Sequence, residues 1–333
     1  MIYFYIMDNL RNTIATKILN SIPSRVKSID YLMEALNISR ESVYRRIRGD
    51  ISFTLEEIAK LAVDLGFSID ELILKDMHSR IFFDLHTSNS HTPEDNYIEI
   101  FQQNFQSIYD LPFMEDVESI DILNQVPFVF IIFFNHLFKF TYYRWMHQHQ
   151  ETSLKYFYSD AVLPEKLICL QQKTIENLRK LRNNTFIFDP NMFYNLVQAV
   201  QYYYKRRLIT DSEFLQLKDD LFGLVNMVES IAQTGFNRSG TKYNLYLSSL
   251  NVEASSRYIR YEDMAKSQFF INALEPITIM NPNICNVHKK WLDSMRKYAT
   301  LITQSNEILQ VRYFNRQREF VEECGEFVAA KIV

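Results

Sequence analysis

Between positions 54 and 71 the sequence places two capping boxes on either side of a glycine stop, and that punctuation restricts the segment to short, closely spaced helices. Thr54 and Glu57 stand three apart ahead of Ile58, Leu61 and Leu65, and Ser68 and Glu71 repeat the arrangement after Gly66. A Ser or Thr hydroxyl that accepts the N3 amide, with a Glu reaching back to the cap, fixes where a helix starts; a glycine in the left-handed region fixes where one stops. The same grammar runs upstream. Leu10, Ile14 and Ile18 share one helical face that Pro23 closes, and a second pattern opens at Ser28, carries Leu32 and Leu36, and meets Asn37, which tolerates a left-handed turn. Ser39 then caps a third pattern, which runs to Gly49. Five short helices over residues 8–74 follow from these signals.

Beyond residue 75 the punctuation loosens. Residues 76–92 read as a connector, with a short strand expected at 81–85. Helices are expected from Thr92-Pro93-Glu94, from Pro127 to about His149, from Pro164 to Arg182, from Asp189-Pro190 to Arg207, and from the capping box Thr210 to Glu213 up to Gly235. Residues 241–280 alternate in short runs, as in Tyr243 to Leu247 and Ile277 to Ile279, which predicts strands. Residues 283–298 and 303–330 return to helical spacing. The expected fold class is therefore mainly α: a five-helix domain at 1–75, the connector, and a larger, mostly helical domain at 93–333 with a small β-sheet near 241–280. The six glycines in 333 residues agree with long helices rather than a densely turned all-β fold.

Several function classes lose support on composition. Cys169, Cys285 and Cys324 lie far apart, without disulfide or zinc spacing, which suits a reducing cytoplasm. The apolar run 1–7 lacks a basic lead and enters Asp8, so no signal peptide is expected, and Met7 is a second candidate start. The uncharged stretch 122–138 holds Asn124, Gln125, Pro127, Asn135 and His136 and reads as a buried core helix rather than a membrane span. Residues 235–242 imitate a phosphate-binding loop but end Thr241-Lys242 in the wrong order and follow a helix instead of a strand. His147 and His149 have no nearby carboxylate or cysteine and read as surface residues. No serine elbow or paired catalytic carboxylate stands out, so no catalytic residue, cofactor, metal or enzymatic activity is expected.

Residues 29–48 resemble the helix-turn-helix of the Cro and phage-repressor superfamily, also called XRE-type, and the five-helix layout of 8–74 matches the lambda-repressor-like domain. Met33 departs from the family's small residue and Arg46 from its core aliphatic, with Ile47 one step later available for that packing. The resemblance implies a bracing helix over 30–36 and a recognition helix over 40–48 that enters the major groove of double-stranded DNA. At 100° per residue Val43 and Ile47 share the packed side, Glu41, Arg45 and Arg48 lie roughly opposite, and Tyr44 and Arg40 flank that outer face, which makes those five the base-reading candidates. Lys27, Ser28, Ser39 and Arg46 are the phosphate candidates. The net charge of -4 gives the whole chain no attraction to nucleic acid, yet residues 40–48 hold four arginines and one glutamate. Glu41 and Arg45 could equally form a solvated i,i+4 pair.

By analogy with such regulators, the large domain is expected to support a homodimer and to receive a small-molecule or peptide effector, with the aromatic segments 128–145 and 202–204 as an apolar pocket. Two other readings stay open: a protein-interaction or phage-derived control module without ligand sensing, and an enzyme fused to a repressor-type domain.

Overall fold

The computed structural model describes residues 2–22, 27–65, 67, 84–85, 92–110, 117–148, 153–178, 183–261, 264–271 and 274–325. The chain divides into two compact units, Met1–Phe82 and Phe83–Val333.

In the small unit, helix α1 (Ile2–Ser21) begins well upstream of the expected start. It is followed by α2 (Ser28–Leu36), α3 (Arg40–Ile47) and α4 (Leu55–Leu65). Ile18, Leu32, Val43 and Leu61 are fully buried together, with Ile47, Met33 and Phe53 packed against them. Ile47 thus takes the aliphatic position that Arg46 vacates. Asn37 ends α2 in the left-handed region (φ 53°), and its amide donates to Met33 O. Gly49, at φ 80°, turns the chain after α3 where an added Cβ would lie 3.3 Å from Asn12 Oδ1. The first capping box forms: Glu57 N donates to Thr54 Oγ1 at 3.2 Å and Thr54 N to Glu57 Oε2 at 2.9 Å. The second, Ser68 to Glu71, lies outside the described residues, as does the fifth helix.

The large unit corrects the expected fold class. It is an α/β unit built on one eight-stranded mixed sheet, not a helical domain with a small sheet near 241–280. In chain order the strands are β1 (Asp84–Leu85), β2 (Glu118–Leu123), β3 (Asn183–Phe188), β4 (Tyr243–Ser248), β5 (Ser256–Tyr261), β6 (Met264–Phe270), β7 (Pro276–Ile279) and β8 (Ala299–Leu301). Their spatial order is β1-β7-β6-β5-β2-β3-β4-β8. Among the described residues only β2, β3 and β4 run parallel; every other neighbouring pair is antiparallel.

Parallel neighbours need crossovers, and helices supply them. Helices α6 (Phe128–Ile131), α7 (Asn135–Gln148) and α8 (Glu165–Asn177) link β2 to β3, while α9 (Met192–Lys205) and α10 (Asp211–Thr234) link β3 to β4. The helix expected from Pro127 is therefore broken at residues 132–134. Before β2 stands α5 (Pro93–Asp110), and α11 (Pro282–Lys297) and α12 (Glu307–Glu322) flank β8. Strand alternation divides the core. Leu123, Phe186, Phe188, Tyr243 and Leu245 face a thick layer containing α5 to α10 and α12, whereas Ile120, Ile122 and Ile187 pack with Cys285 and Leu292 of α11 on the opposite face.

Most of the aromatic side chains of 128–145, with Tyr203, pack into that thick layer, while Tyr202 is exposed. Phe130, Phe138, Phe140 and Tyr143 are buried, and Tyr203 meets Phe140 and Tyr143 edge-on at centroid distances of 5.8 and 5.0 Å. His147 is not a surface residue: it is buried against Tyr143 and Tyr203. The capping box Thr210 to Glu213 forms, and Gly235 (φ 83°) ends α10 with its amide on Ile231 O. The loop that follows bridges Phe236 to Lys242, and Asn237 Oδ1 accepts the amides of Ser239 and Thr241. No described helix is long and apolar enough to cross a membrane.

Candidate nucleic-acid interface

Helix α3 is short and held from three sides. Ser39 caps it by accepting the Ser42 amide at 3.3 Å, Val43 and Ile47 anchor it in the small core, and Arg46 ties it to α4. Lys27, the residue before α2, is exposed and makes no side-chain cap, while Ser28, the first residue of α2, is half-buried.

The five base-reading candidates come together on one exposed side. Arg40, Glu41, Tyr44, Arg45 and Arg48 fall within about 140° of arc at 100° per residue, and all five are exposed. Two carry acidic partners that sequence spacing did not suggest: Arg40 Nη2 lies 2.6 Å from Asp30 Oδ1 on α2, and Arg48 Nε lies 3.3 Å from Asp50 Oδ2. All four side chains are more than half exposed. Pairs of this kind contribute at most about 1 kcal/mol, so either guanidinium can be transferred to a nucleic-acid acceptor at small cost. Arg45 and Glu41 do not pair with each other, and among the described residues Arg45 has no acidic partner.

Arg46 stands apart from the other phosphate candidates. Its Nε and Nη2 donate to Glu57 Oε2 and Oε1 at 2.9 and 2.8 Å, and the side chains are 13% and 16% exposed. Glu57 therefore closes the α4 capping box and clamps α3 with the same carboxylate. The residue expected to reach a phosphate has its guanidinium occupied within the unit. Replacing it strands Glu57 in a largely dry site, so Arg46→Ala is expected to cost the small unit about 2–3 kcal/mol. Arg46→Lys should recover only part of the loss, because an ammonium cannot reproduce the bidentate fork. Helical circular dichroism followed through a urea titration reads both variants.

Two helices at a tight left-handed turn, with the second presenting an uncovered arginine-rich side, are the arrangement of a helix-turn-helix. Residues 6–81 match the BetR domain. That family is a helix-turn-helix-like DNA-binding domain, and the match takes in the whole small unit from within α1 onward. The matched segment thus contains α2, α3, both acidic partners of the exposed arginines, and the Arg46 to Glu57 tie. The chain matches no curated protein and no solved structure.

Sequence reasoning missed Asp30, Asp50 and Glu57. Asp30 and Glu57 lie ten and eleven residues from their arginines, beyond the three- and four-residue steps that a helix makes readable.

Proposed function

We propose that this chain is a sequence-specific DNA-binding transcription regulator whose α3 enters the major groove. The observation that carries this reading is the uncovered face of α3, with Arg45 unpaired among the described residues, inside a segment that matches a DNA-binding family. Arg45 reads a base edge, and arginine forked onto guanine O6 and N7 is the commonest specific contact in that groove. Arg40 and Arg48 flank it and exchange Asp30 and Asp50 for DNA acceptors, while Lys27, Ser28 and Ser39 lie at the helix starts where phosphates are met.

A single helix-turn-helix reads few base pairs, so two copies act together on half-sites about 34–36 Å apart. The α/β unit joins the copies and receives the controlling signal. Arg45→Ala is expected to cost about 1–3 kcal/mol on the preferred duplex and to relax its base preference. Titration of selected and random duplexes at several salt concentrations measures both effects. Binding by the variant as tight and as selective as wild type would remove α3 from the groove.

A further inference from the structure

A cleft of about 470 Å³ opens in the α/β unit at the carboxyl edge of the sheet. Its lining begins where each parallel strand ends: Asn124 follows β2, Asp189 follows β3, and Asn251 and Val252 follow β4. The connection 249–255 leaves β4 and begins β5 opposite Ile122, so it crosses this edge to the far side of β2. Crevices outside the carboxyl ends of parallel strands, where the chain changes its direction of travel across the sheet, are where open α/β sheets bind ligands.

The floor is fixed by hydrogen bonds. Asp189, 7% exposed, spends both carboxylate oxygens on backbone amides, accepting from Asn191 N and Val252 N at 2.8 Å each. Asn124 Oδ1 accepts from Ser255 Oγ at 2.8 Å, and Asn195 Nδ2 donates to Asn124 O at 3.2 Å.

The remaining groups are uncommitted. Tyr194 and Phe320 form an aromatic wall, with ring centroids 5.2 Å apart, and both rings line the opening. The Arg316 guanidinium lies 5.4 Å from the Phe320 ring centre and has no carboxylate partner among the described residues. Neither do the Asn191 and Asn251 carboxamides make side-chain hydrogen bonds among the described residues.

We propose that this cleft binds a small organic anion carrying a planar ring. Arg316 receives the anionic group through its fork, the Tyr194 and Phe320 wall receives the ring, and the Asn191 and Asn251 amides meet its polar edge. The volume falls within the range of small-molecule sites. A guanidinium resting on an aromatic face is suited to both a carboxylate and a phosphate. Every residue of this cleft belongs to the α/β unit, outside the DNA-binding segment.

Calorimetric titration of the full chain, without DNA, tests it. The probes are benzoate, indole acetate and adenosine monophosphate, with inorganic phosphate and benzamidine as probes lacking the ring or the negative charge. At least one ring-bearing anion is expected to bind saturably, about tenfold or more tightly than phosphate or benzamidine, and which one binds separates a carboxylate from a phosphate ligand. Arg316→Ala should weaken that binding about tenfold or more, while Arg312→Ala, one turn earlier on α12 and outside the cleft, should leave it unchanged. Failure of all three ring-bearing anions to bind, equal binding by phosphate or benzamidine, or wild-type affinity in Arg316→Ala would overturn the proposal.

Discussion

Asp121→Ala is expected to destabilise the α/β unit by about 3–5 kcal/mol, the range seen when one member of a buried ion pair is removed. Asp121 lies on β2 with no solvent exposure, directly across from Arg257 on β5, whose Nε is 2.5 Å from Asp121 Oδ1. Ser119 Oγ donates to the other carboxylate oxygen at 2.8 Å. Burial pushes the Asp121 carboxyl above the usual carboxylate range, and the Arg257 guanidinium and Ser119 hydroxyl oppose that push. Truncation leaves Arg257, only 13% exposed, without its counter-ion in the sheet interior. Replacing both charges with apolar residues of similar volume should restore most of the loss, because the desolvation of the two ions disappears with their attraction. Both tryptophans, Trp145 and Trp291, belong to the α/β unit, so tryptophan fluorescence during urea unfolding reads this unit. A single variant within about 1 kcal/mol of wild type would contradict a tightly closed interior at this pair.

Acid should cost the same unit about 3 kcal/mol through one histidine. His288 on α11 is 5% exposed, held between Ser256 Oγ at 3.0 Å and Ser267 Oγ at 2.8 Å, with Phe269 and Trp291 beside its ring. Burial lowers its pKa from 6.5 to about 4. The unfolded chain therefore binds a proton that the folded chain refuses between those values. Stability from this residue is complete above about pH 6.5 and is lost as pH falls towards about 4, by about 3 kcal/mol in all. Between about pH 7.5 and about pH 5 the wild type should lose about 2 kcal/mol more than His288→Gln, which cannot take up the proton. Parallel urea titrations by tryptophan fluorescence make the comparison, and equal acid losses in the two proteins would show that His288 accepts its proton in the folded state.

The small unit was legible because its determinants are local. Ser39, Asn37, Thr54 and Glu57 each act within four residues, so capping and turn chemistry can be read directly along the chain. The sheet was not legible for the opposite reason. β2 and β3 lie in the middle of the sheet, yet each opens on polar residues, Glu118-Ser119 and Asn183-Asn184-Thr185, and holds only three apolar ones, too few to display a strand period against the longer helical patterns beside them. Ile122 and Leu123 illustrate this: they end β2, yet the sequence merges them into the apolar stretch that becomes α6. Their partners Ile187 and Phe188 lie more than sixty residues away. The pairing of Arg46 with Glu57 depends on how α4 folds back on α3, which no local spacing displays. The cleft was invisible because the ends of three strands and two helices far apart in the chain, α9 and α12, build it.

The most direct test of the account is selection of duplexes by the full chain from a random pool, followed by titration of the enriched sequence across a salt series. The expected result is an enriched site with guanine at the position facing Arg45, half-sites about 34–36 Å apart, and log affinity falling linearly with log salt as phosphate counter-ions are displaced. Enrichment of no sequence, with no duplex bound even at low salt, would contradict it and leave the uncovered face of α3 to a protein partner.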